Sequence, residues 1–354
     1  MNKSRLQILL MLLFLSFSVI SFAGQPEPSP VYLSNYSFSP DHSKTVLCRV
    51  MGDNVHQYTL SLTGPNADLF RLKANELFLS GRGRKYFKRS GRAAFSISFS
   101  SGNKTILEKS FTILKGSFAA NKVIAHRGAW RNTGLPENSI ASLQAAIGLG
   151  CAGSEFDIQS TADSILVINH DPKYQEMDIE RSRYTDLLKF PLSNGEPLPT
   201  FGNYLKAGIT QQKTRLIAEI KPSVIDKAHV LNLAKRVVEE VWRQQAQAWV
   251  IYISFDYDAL KEVLRLDPSA VVMYLNGDKS PDELKKDGIQ GLDYHYNVYH
   301  KQEQWIGDAH RAGLSVNVWT VDTVPEMEYF LAQKVEYITT NEPENLFSLL
   351  PKPR

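Results

Sequence analysis

Short apolar strands alternate with amphipathic helical segments from Asn121 onward, and this alternation restricts the fold more than any other feature of the chain. The helical segments include ENSIASLQAAIGLG, DKAHVLNLAKRVVEEVWRQQ and VPEMEYFLAQ. Repeated strand–helix units build a parallel sheet, and about eight units in roughly 230 residues are typical of a TIM barrel. We therefore predict an α/β fold, a TIM (β/α)8 barrel, over residues 121–350.

Nine strand segments compete for the eight places of such a barrel. They are VIAH, SEFDI, LVINH, RLIAEI, WVIYIS, AVVMYL, GLDYH, LSVNVWT and EYITT. Too few residues separate SEFDI from LVINH for a crossover connection, which needs about a dozen. These two segments are predicted to form an antiparallel hairpin, so one unit of the barrel is irregular.

The first part of the chain has a different pattern. The strand-like segments TVLCRV, YTLSLTG, ELFLSG, AAFSISFSSG and EKSFTIL are separated by Gly, Asn, Pro and Ser, without helical periodicity. This arrangement predicts a small all-β sandwich, of the immunoglobulin-like or cadherin-like kind, over residues 25–118.

A basic stretch lies within the predicted sandwich. Residues 82–92 carry six positive charges in eleven positions and no acidic residue. One interpretation is weak contact with a polyanion or a membrane surface through phospholipid headgroups. The alternative is a solvated hairpin tip, which we favour.

Residues 1–23 have the layout of a secretory signal peptide, with a basic start, an apolar run from Leu9 to Ile20 and small residues around Ala23. The alternative of a retained membrane anchor is disfavoured because a span needs about 20 apolar residues. We expect a cleaved signal, no integral membrane segment in the mature chain, and a periplasmic or secreted location.

Charge and cysteine content exclude several classes of protein. Lys3 and Arg5 lie in the predicted signal, so the mature chain carries 38 basic and 37 acidic residues, about +1 in net charge. A nearly neutral chain excludes overall electrostatic binding to nucleic acid. Two cysteines are too few for a disulfide scaffold, and we predict that Cys48 and Cys151 are separate buried thiols.

Polar side chains concentrate at the ends of the predicted barrel strands, where a TIM barrel carries its active site. Glu155 and Asp157 are two residues apart and face the same side of their strand. With Glu219 they bring three carboxylates together, and such charges repel unless a cation bridges them. Carboxylates without cysteine favour Ca²⁺ or Mg²⁺ over zinc. The alternative is a set of salt bridges, Glu219 with Lys221 or Glu155 with Arg127.

Two histidines flank these carboxylates. His126 and His170 end different strands, and imidazole titrates near neutral pH, so the pair can serve as general acid and base. Arg127 and Lys221 add fixed positive charge. A cation, an arginine and a lysine together bind a phosphate on which negative charge develops. The residues therefore predict metal-assisted phosphoryl chemistry without choosing the substrate.

The segment HRGAWRNTGLPENSIASLQAAIGLGCAGSEFDIQSTADSILVINHD resembles the signature of the glycerophosphodiester phosphodiesterase family, and most closely that of its secreted bacterial members. The family pattern is an HRG turn, a PEN(S/T) helix start, an ExD strand and a final HD. The segments AEIKP, ISF and VNVWTV match the same family in order. The resemblance covers residues 121–350 and leaves the predicted sandwich outside it.

The resemblance implies hydrolysis of glycerophosphodiesters to glycerol 3-phosphate and an alcohol. It also implies a role for each matching residue: His126 and His170 in acid–base catalysis, Glu155, Asp157 and Glu219 in binding one divalent cation, Ca²⁺ or Mg²⁺, and Arg127, Lys221 and Trp319 in binding substrate. Of the histidines, we expect His126 to be the base. Glu137 is expected to support His126 or Arg127, and Asn138 to do the same or to cap a helix.

Some points stay open. Asn341 stands where many family members have Asp, which weakens any role for it. Phe255 is expected either to shape the leaving-group side or to pack in the core. Two alternative functions remain: the same barrel acting on another phosphodiester, such as a phosphoinositol or a lysophospholipid, and a non-catalytic protein that binds anionic lipid. The preferred headgroup and the oligomeric state do not follow from the sequence.

Overall fold

The computed structural model describes residues 30–39, 45–116 and 118–351. The predicted signal peptide, residues 1–23, lies outside the described residues. Within the described ranges, each helix is either too short or too polar to span a bilayer. Cys48 and Cys151 are buried free thiols, which confirms that prediction.

The N-terminal region is rich in strands. Its elements are β1 (Tyr32–Leu33), β2 (Ser37–Phe38), β3 (Cys48–Met51), β4 (Thr59–Thr63), β5 (Phe70–Lys73), β6 (Glu76–Leu79), α1 (Gly81–Tyr86), β7 (Arg92–Ser101) and β8 (Lys104–Lys115). They form two four-stranded sheets, ordered β1-β3-β6-β5 and β2-β8-β7-β4. Phe70 in the first sheet lies 4.5 Å from Phe95 in the second, measured between ring centroids. Ala93, Phe95, Ile97 and Phe99 of β7 are buried, and Ser96 and Ser98 on its other face are buried as well.

The basic stretch is not a hairpin tip. Its first half forms α1, which Ser80 caps by accepting a hydrogen bond from the Gly83 amide. The prediction of a hairpin was wrong because β6 and β7 belong to different sheets, so their connection crosses between sheets. Arg82 pairs with Asp68, and Arg92 donates to the Ile209 carbonyl at 2.8 Å. These two of the six basic side chains therefore take part in contacts within the chain at its surface.

The predicted barrel is confirmed. Its strands are β9 (Val123–Ala125), β10 (Gly153–Ser160), β14 (Arg215–Ile220), β15 (Val250–Ser254), β16 (Val271–Tyr274), β17 (Gly291–His295), β18 (Ser315–Trp319) and β19 (Tyr337–Thr340). They are parallel, and β19 and β10 both pair with β9, which closes the barrel. The remaining short strands are β11 (Leu166–Ile168), β12 (Lys173–Tyr174) and β13 (Met177–Asp178). The predicted hairpin is present, since β11 pairs antiparallel with β10.

Helices surround the barrel and lie mainly between successive strands. They are α2 (Ile140–Leu149), α3 (Tyr184–Leu187), α4 (Phe201–Gly208), α5 (Lys227–Arg243), α6 (Tyr257–Leu266), α7 (Pro281–Lys286), α8 (Tyr296–Lys301), α9 (Trp305–Ala312), α10 (Val324–Ala332) and α11 (Pro343–Leu349). The longest, α5, buries an apolar face at helical spacing against the barrel and α6. The outward-facing residues of the barrel strands pack on these helices. Inward-facing residues near the strand ends are not needed for this packing and can form a binding or catalytic site.

The strand-rich region packs against the barrel at the face opposite the carboxyl ends of the barrel strands. Thr112 donates to Gln245 Oε1 at 2.8 Å, the Lys109 ammonium lies 3.6 Å from the centre of the Trp242 ring, and Phe118 packs edge-on against Trp249. These barrel residues lie just before β15 or at the end of α5. They therefore belong to the N-terminal face of the barrel, which supports stability rather than catalysis.

Candidate active site

The three predicted carboxylates meet inside the barrel. In β10, Glu155 and Asp157 face inward. Phe156 between them faces outward, and its ring lies 4.4 Å from the Tyr204 ring at an angle of 37°. Asp157 pairs in register with Glu219 of β14. One ligand oxygen from each of the three groups lies within 4.8 Å of the other two, and all three residues are buried. The alternation of β10 and its register with β14 therefore build the cluster.

The cluster has the unsatisfied oxygens that a cation needs. Glu155 Oε1 is buried and has no hydrogen bond to any residue that the structure describes. The Lys221 ammonium is the ion-pair partner of Asp157 Oδ1 at 3.2 Å and of Glu219 Oε1 at 2.9 Å. Burial and then repulsion by Asp157 raise the pKa of Glu219 to about 7. Burial, Asp157 and Glu219 raise that of Glu155 well above its usual range. Three buried oxygens under mutual repulsion fit a hard divalent cation.

The alternative of simple salt bridges is realised only in part. Lys221 does pair with Glu219, but Glu155 takes a hydrogen bond from the Arg127 backbone amide at 2.9 Å, not from its guanidinium. The guanidinium instead binds Glu137 at 2.8 Å and lies 3.8 Å from Asp157. Burial acts to raise the pKa of Asp157, but Lys221 and other positive neighbours hold it below its usual value. Two bases do not neutralise three buried acids.

Asn138 does not cap a helix. The N-cap of α2 is Ser139, and the Asn138 side chain binds Asp157 twice. Its Nδ2 donates to Asp157 Oδ2 at 2.8 Å, and its Oδ1 accepts from the Asp157 amide at 3.2 Å. The Asn138 side chain therefore positions Asp157, a role that neither expectation named. Glu137 was expected to support His126 or Arg127, and its carboxylate accepts a hydrogen bond from the Arg127 guanidinium.

The turn after β9 explains why glycine follows His126-Arg127. Gly128 has φ +83°, and a Cβ at this position would lie 2.4 Å from Ser142 Oγ and 2.7 Å from its carbonyl carbon. Only glycine tolerates both the left-handed conformation and the close approach of α2. The turn aims the Arg127 amide at Glu155 and leaves His126 at the cavity wall.

His126 has a fixed tautomer. Its Nδ1 lies 2.9 Å from Asn341 Oδ1, and Asn341 Nδ2 donates to Asp322 Oδ2 at 2.8 Å. Because Asp322 orients the amide, Asn341 presents an acceptor, and Nδ1 carries the proton. The lone pair is then on Nε2, 3.9 Å from Glu155 Oε2. Burial and Arg127 lower the pKa of His126 to about 4, so the ring is neutral at pH 7.

His170 has a different environment. Its Nδ1 lies 2.8 Å from Asp171 Oδ1, and its side chain is 35% exposed. Gln159, at the end of β10, holds the loop that carries it, since Nε2 of Gln159 donates to the carbonyls of Asn169, His170 and Asp171. The Nδ1 partner is thus a carboxylate at His170 and an amide at His126.

The cavity at the strand ends has a volume of about 120 Å³. His126, Arg127, Glu155, His170 and Glu219 line one side, and Ile253, Phe255, Leu275, Asp293, Trp319, Thr320 and Thr339 line the other. Phe255 and Trp319 meet edge to face at 5.6 Å, so Phe255 belongs to the site wall. Trp319 Nε1 donates to the Asp293 carbonyl at 2.7 Å. The structure thus brings together the sequence-predicted side chains, with Asp157 and Lys221 just behind the surface.

Sequence reasoning missed Asp293 and Gln159, and it undervalued Asn341. Asp293 is a buried acid within the strand segment GLDYH, and its polarity in an otherwise apolar strand was an available signal. The contact of Asn341 with His126 joins residues 215 positions apart in the chain. No local pattern reports a contact of that kind.

Replacing Asn341 with Asp is expected to shift the pH dependence of the reaction. A carboxylate beside Nδ1 favours the imidazolium and raises the pKa of His126 by about one unit or more. If neutral His126 acts as base, the acidic limb of kcat/KM moves to higher pH, with little change at pH 8. The measurement is the pH profile between pH 3.5 and 8.5 at saturating cation. Asn103→Asp, in an exposed turn of the strand-rich region, is the control, and an unmoved limb in Asn341→Asp contradicts the expectation.

Comparison with known proteins agrees with this geometry. Residues 126–345 match the glycerophosphoryl diester phosphodiesterase family. A glycerophosphodiester phosphodiesterase of Caldanaerobacter subterraneus is 27% identical over 247 residues, which cover 65% of this chain and 98% of the relative.

Among solved structures, a glycerophosphodiester phosphodiesterase from Parabacteroides distasonis is 42% identical and covers 66% of this chain and 98% of its own, with a TM-score of 0.63. A phosphodiesterase from Oleispira antarctica, 23% identical over 65% of this chain and 96% of its own, shares the fold with a TM-score of 0.55. The chain belongs to the glycerophosphoryl diester phosphodiesterase family, whose members are enzymes that hydrolyse glycerophosphodiesters.

Proposed function

We propose that this enzyme hydrolyses glycerophosphodiesters to glycerol 3-phosphate and an alcohol, with one divalent cation held by Glu155, Asp157 and Glu219. The observation that carries the proposal is the cluster of three buried carboxylates with ligand oxygens within 4.8 Å of one another, placed beside two histidines in one cavity. The Oleispira antarctica phosphodiesterase, whose structure was solved with sn-glycerol 3-phosphate as product, supports the same product class.

Binding of the phosphodiester falls to the positive groups of the site. A bound Ca²⁺ or Mg²⁺ would polarise the phosphoryl oxygens and offset their charge. Arg127, fixed by Glu137, lies at the cavity wall and offers the remaining guanidinium hydrogens to a phosphate. Lys221 balances the charge of Asp157 and Glu219 from behind. The Trp319 ring walls the opposite side, where it excludes water from the substrate.

The two histidines divide the proton transfers. Neutral His126 takes the proton of a glycerol hydroxyl at Nε2, and that oxygen attacks phosphorus. His170, whose Nδ1 contacts Asp171, gives a proton from Nε2 to the oxygen of the departing alcohol. The resulting cyclic phosphate is opened by water with the roles reversed, which yields glycerol 3-phosphate. The different partners at Nδ1, an amide for His126 and a carboxylate for His170, support this assignment.

We also propose a location and a role for the first part of the chain. A signal peptide at residues 1–23 would make the enzyme periplasmic or secreted, as in the secreted bacterial members that it resembles. Residues 25–118 would form a separate domain whose exposed basic side chains, including Lys85, Lys88 and Arg89, contact polyanions or a membrane surface weakly. Deletion of residues 25–118, with turnover and vesicle binding both measured, separates recruitment from support of the fold.

The test of the reaction is release of glycerol 3-phosphate from glycerophosphocholine and glycerophosphoethanolamine. We expect activity with Ca²⁺ or Mg²⁺, its loss in EDTA, and its return when the cation is added back. Absence of turnover with either cation overturns the proposed function. Full activity after exhaustive chelation, with metal analysis confirming an empty protein, overturns only the metal assignment.

A further inference from the structure

One carboxyl group in the cavity has no part in the reaction described above. Asp293 lies in β17, across the barrel from the three-carboxylate cluster, and lines the cavity. It is 1% exposed. Its Oδ1 accepts a hydrogen bond from Asn317 Nδ2 at 2.7 Å, and the charged group that acts on it is Glu219, which repels it. Neither neighbour compensates a buried negative charge, so a structural ion pair does not explain this acid.

The side chain is suited to bind a neutral hydroxyl group. Burial, opposed by the Asn317 hydrogen bond and assisted by Glu219, raises the pKa of Asp293 to about 8, so the group is mostly protonated at pH 7. A protonated carboxyl has an O–H donor and acceptor oxygens in one group. It can therefore exchange hydrogen bonds with an alcohol in either direction.

Asn317 fixes the position of this group. Its Nδ2 donates to Asp293 and also to Thr339 Oγ1 at 2.8 Å. Asn317 Oδ1 is buried and lacks a hydrogen-bond partner within the described part of the chain, and Thr339 lines the cavity together with Asp293. Asp293, Asn317 and Thr339 thus place several hydrogen-bonding groups together, and none of them carries a positive charge. Such a place suits a hydroxyl group better than a phosphate or an ammonium group.

Depth in the cavity decides which part of a substrate reaches this place. Asp293 and Thr339 are 1% and 3% exposed, whereas His170 and Phe255 are only half-buried. The alcohol that leaves varies between glycerophosphodiesters and must extend toward solvent past the exposed groups. The glycerol moiety, which is the same in every substrate of the class, is therefore the part of the substrate that suits the buried wall formed by Asp293 and Thr339.

We propose that Asp293, held by Asn317, binds the terminal hydroxyl of the glycerol moiety and thereby selects glycerol diesters over diesters of diols that lack this hydroxyl. The inference rests on the proposed function. Because the attacking hydroxyl is a different one, the two can be tested apart. Propane-1,2-diol phosphocholine keeps the hydroxyl next to the phosphate-bearing carbon and lacks only the terminal one.

The experiment compares glycerophosphocholine with propane-1,2-diol phosphocholine in the metal-loaded full chain. Leaving buried polar groups unpaired makes a hydroxyl-binding site discriminate strongly. We expect the wild type to prefer the glycerol substrate in kcat/KM by about 10- to 100-fold. Asp293→Ala should reduce this preference to within about threefold, mainly by raising KM for the glycerol substrate. Asp293→Asn, which keeps a donor and an acceptor, should retain most of the preference, and Asp282→Asn on exposed α7 is the control.

The outcomes separate the two ideas. Turnover of both substrates at similar kcat/KM by the wild type overturns the role of Asp293 and leaves the proposed function intact. Turnover of neither substrate overturns both. If Asp293→Ala does not fold, inhibition of the wild type decides the matter, because glycerol 3-phosphate should inhibit at least about tenfold more strongly than propane-1,2-diol 1-phosphate. Equal inhibition, or an unchanged preference in folded Asp293→Ala, contradicts the inference.

Discussion

Replacing Glu155 with Gln is expected to lower kcat on glycerophosphocholine by about a thousandfold or more and to abolish tight binding of Ca²⁺ or Mg²⁺. Glu155 Oε2 is held by the Arg127 amide, so Oε1, which is buried and has no hydrogen-bond partner among the described residues, is the atom that would bind the proposed cation. Glutamine preserves the size of the side chain but removes its charge. A bound cation supplies several kcal/mol of stabilisation to the developing phosphoryl charge, which corresponds to about this loss of rate.

Cation binding by the wild type should depend on pH in a direction set by the same carboxylates. Burial and mutual repulsion raise the pKa of Glu155, and they bring that of Glu219 to about 7. Protons therefore compete with the cation below pH 7, and the cation affinity measured by calorimetry should rise from pH 6 to pH 8.

The matched control for Glu155→Gln is Glu328→Gln, on the exposed side of α10. Wild-type kcat and cation affinity in Glu155→Gln would remove this residue from the metal site.

The fold could be predicted because its signals are local. Alternation of strands and helices identifies a barrel, and the short spacing after SEFDI identifies the hairpin of β10 and β11. Two-residue strands such as β1 and β2 carry no periodicity of their own and exist only through pairing with β3 and β8. The basic stretch was misjudged for a related reason. Whether two strands share a sheet is a tertiary property, which decides between a hairpin and α1.

The site divides in the same way. The three carboxylates and two histidines could be predicted because barrel geometry brings all strand ends to one face. Their supporting contacts could not. Substitution of Asp by Asn at position 341 looked like the loss of a function, but its amide fixes the tautomer of His126 through Asp322. Asp293 lies in the middle of β17, where an inward-facing residue is normally apolar. It lines the cavity, and how far the cavity extends into the barrel cannot be predicted from the sequence.

Loss of each histidine should affect substrates with different leaving groups unequally, which assigns base and acid. His126→Gln and His170→Gln are each expected to lower kcat on glycerophosphocholine by about 10² to 10⁴, the usual contribution of general acid–base catalysis. A p-nitrophenolate leaving group needs no proton. On glycerol p-nitrophenyl phosphate, His170→Gln should therefore recover to within about tenfold of the wild type in the first, nitrophenol-releasing step. His126→Gln should stay impaired, because the attacking hydroxyl must still lose its proton.

His300→Gln, on α8 and paired with Glu326 away from the cavity, is the control. The reverse pattern would exchange the two roles, and equal recovery of both variants would exclude a division between one base and one acid. The assignment has a structural origin: the His126 side chain is 19% exposed, neutral and bonded to an amide, whereas that of His170 is 35% exposed and bonded to a carboxylate.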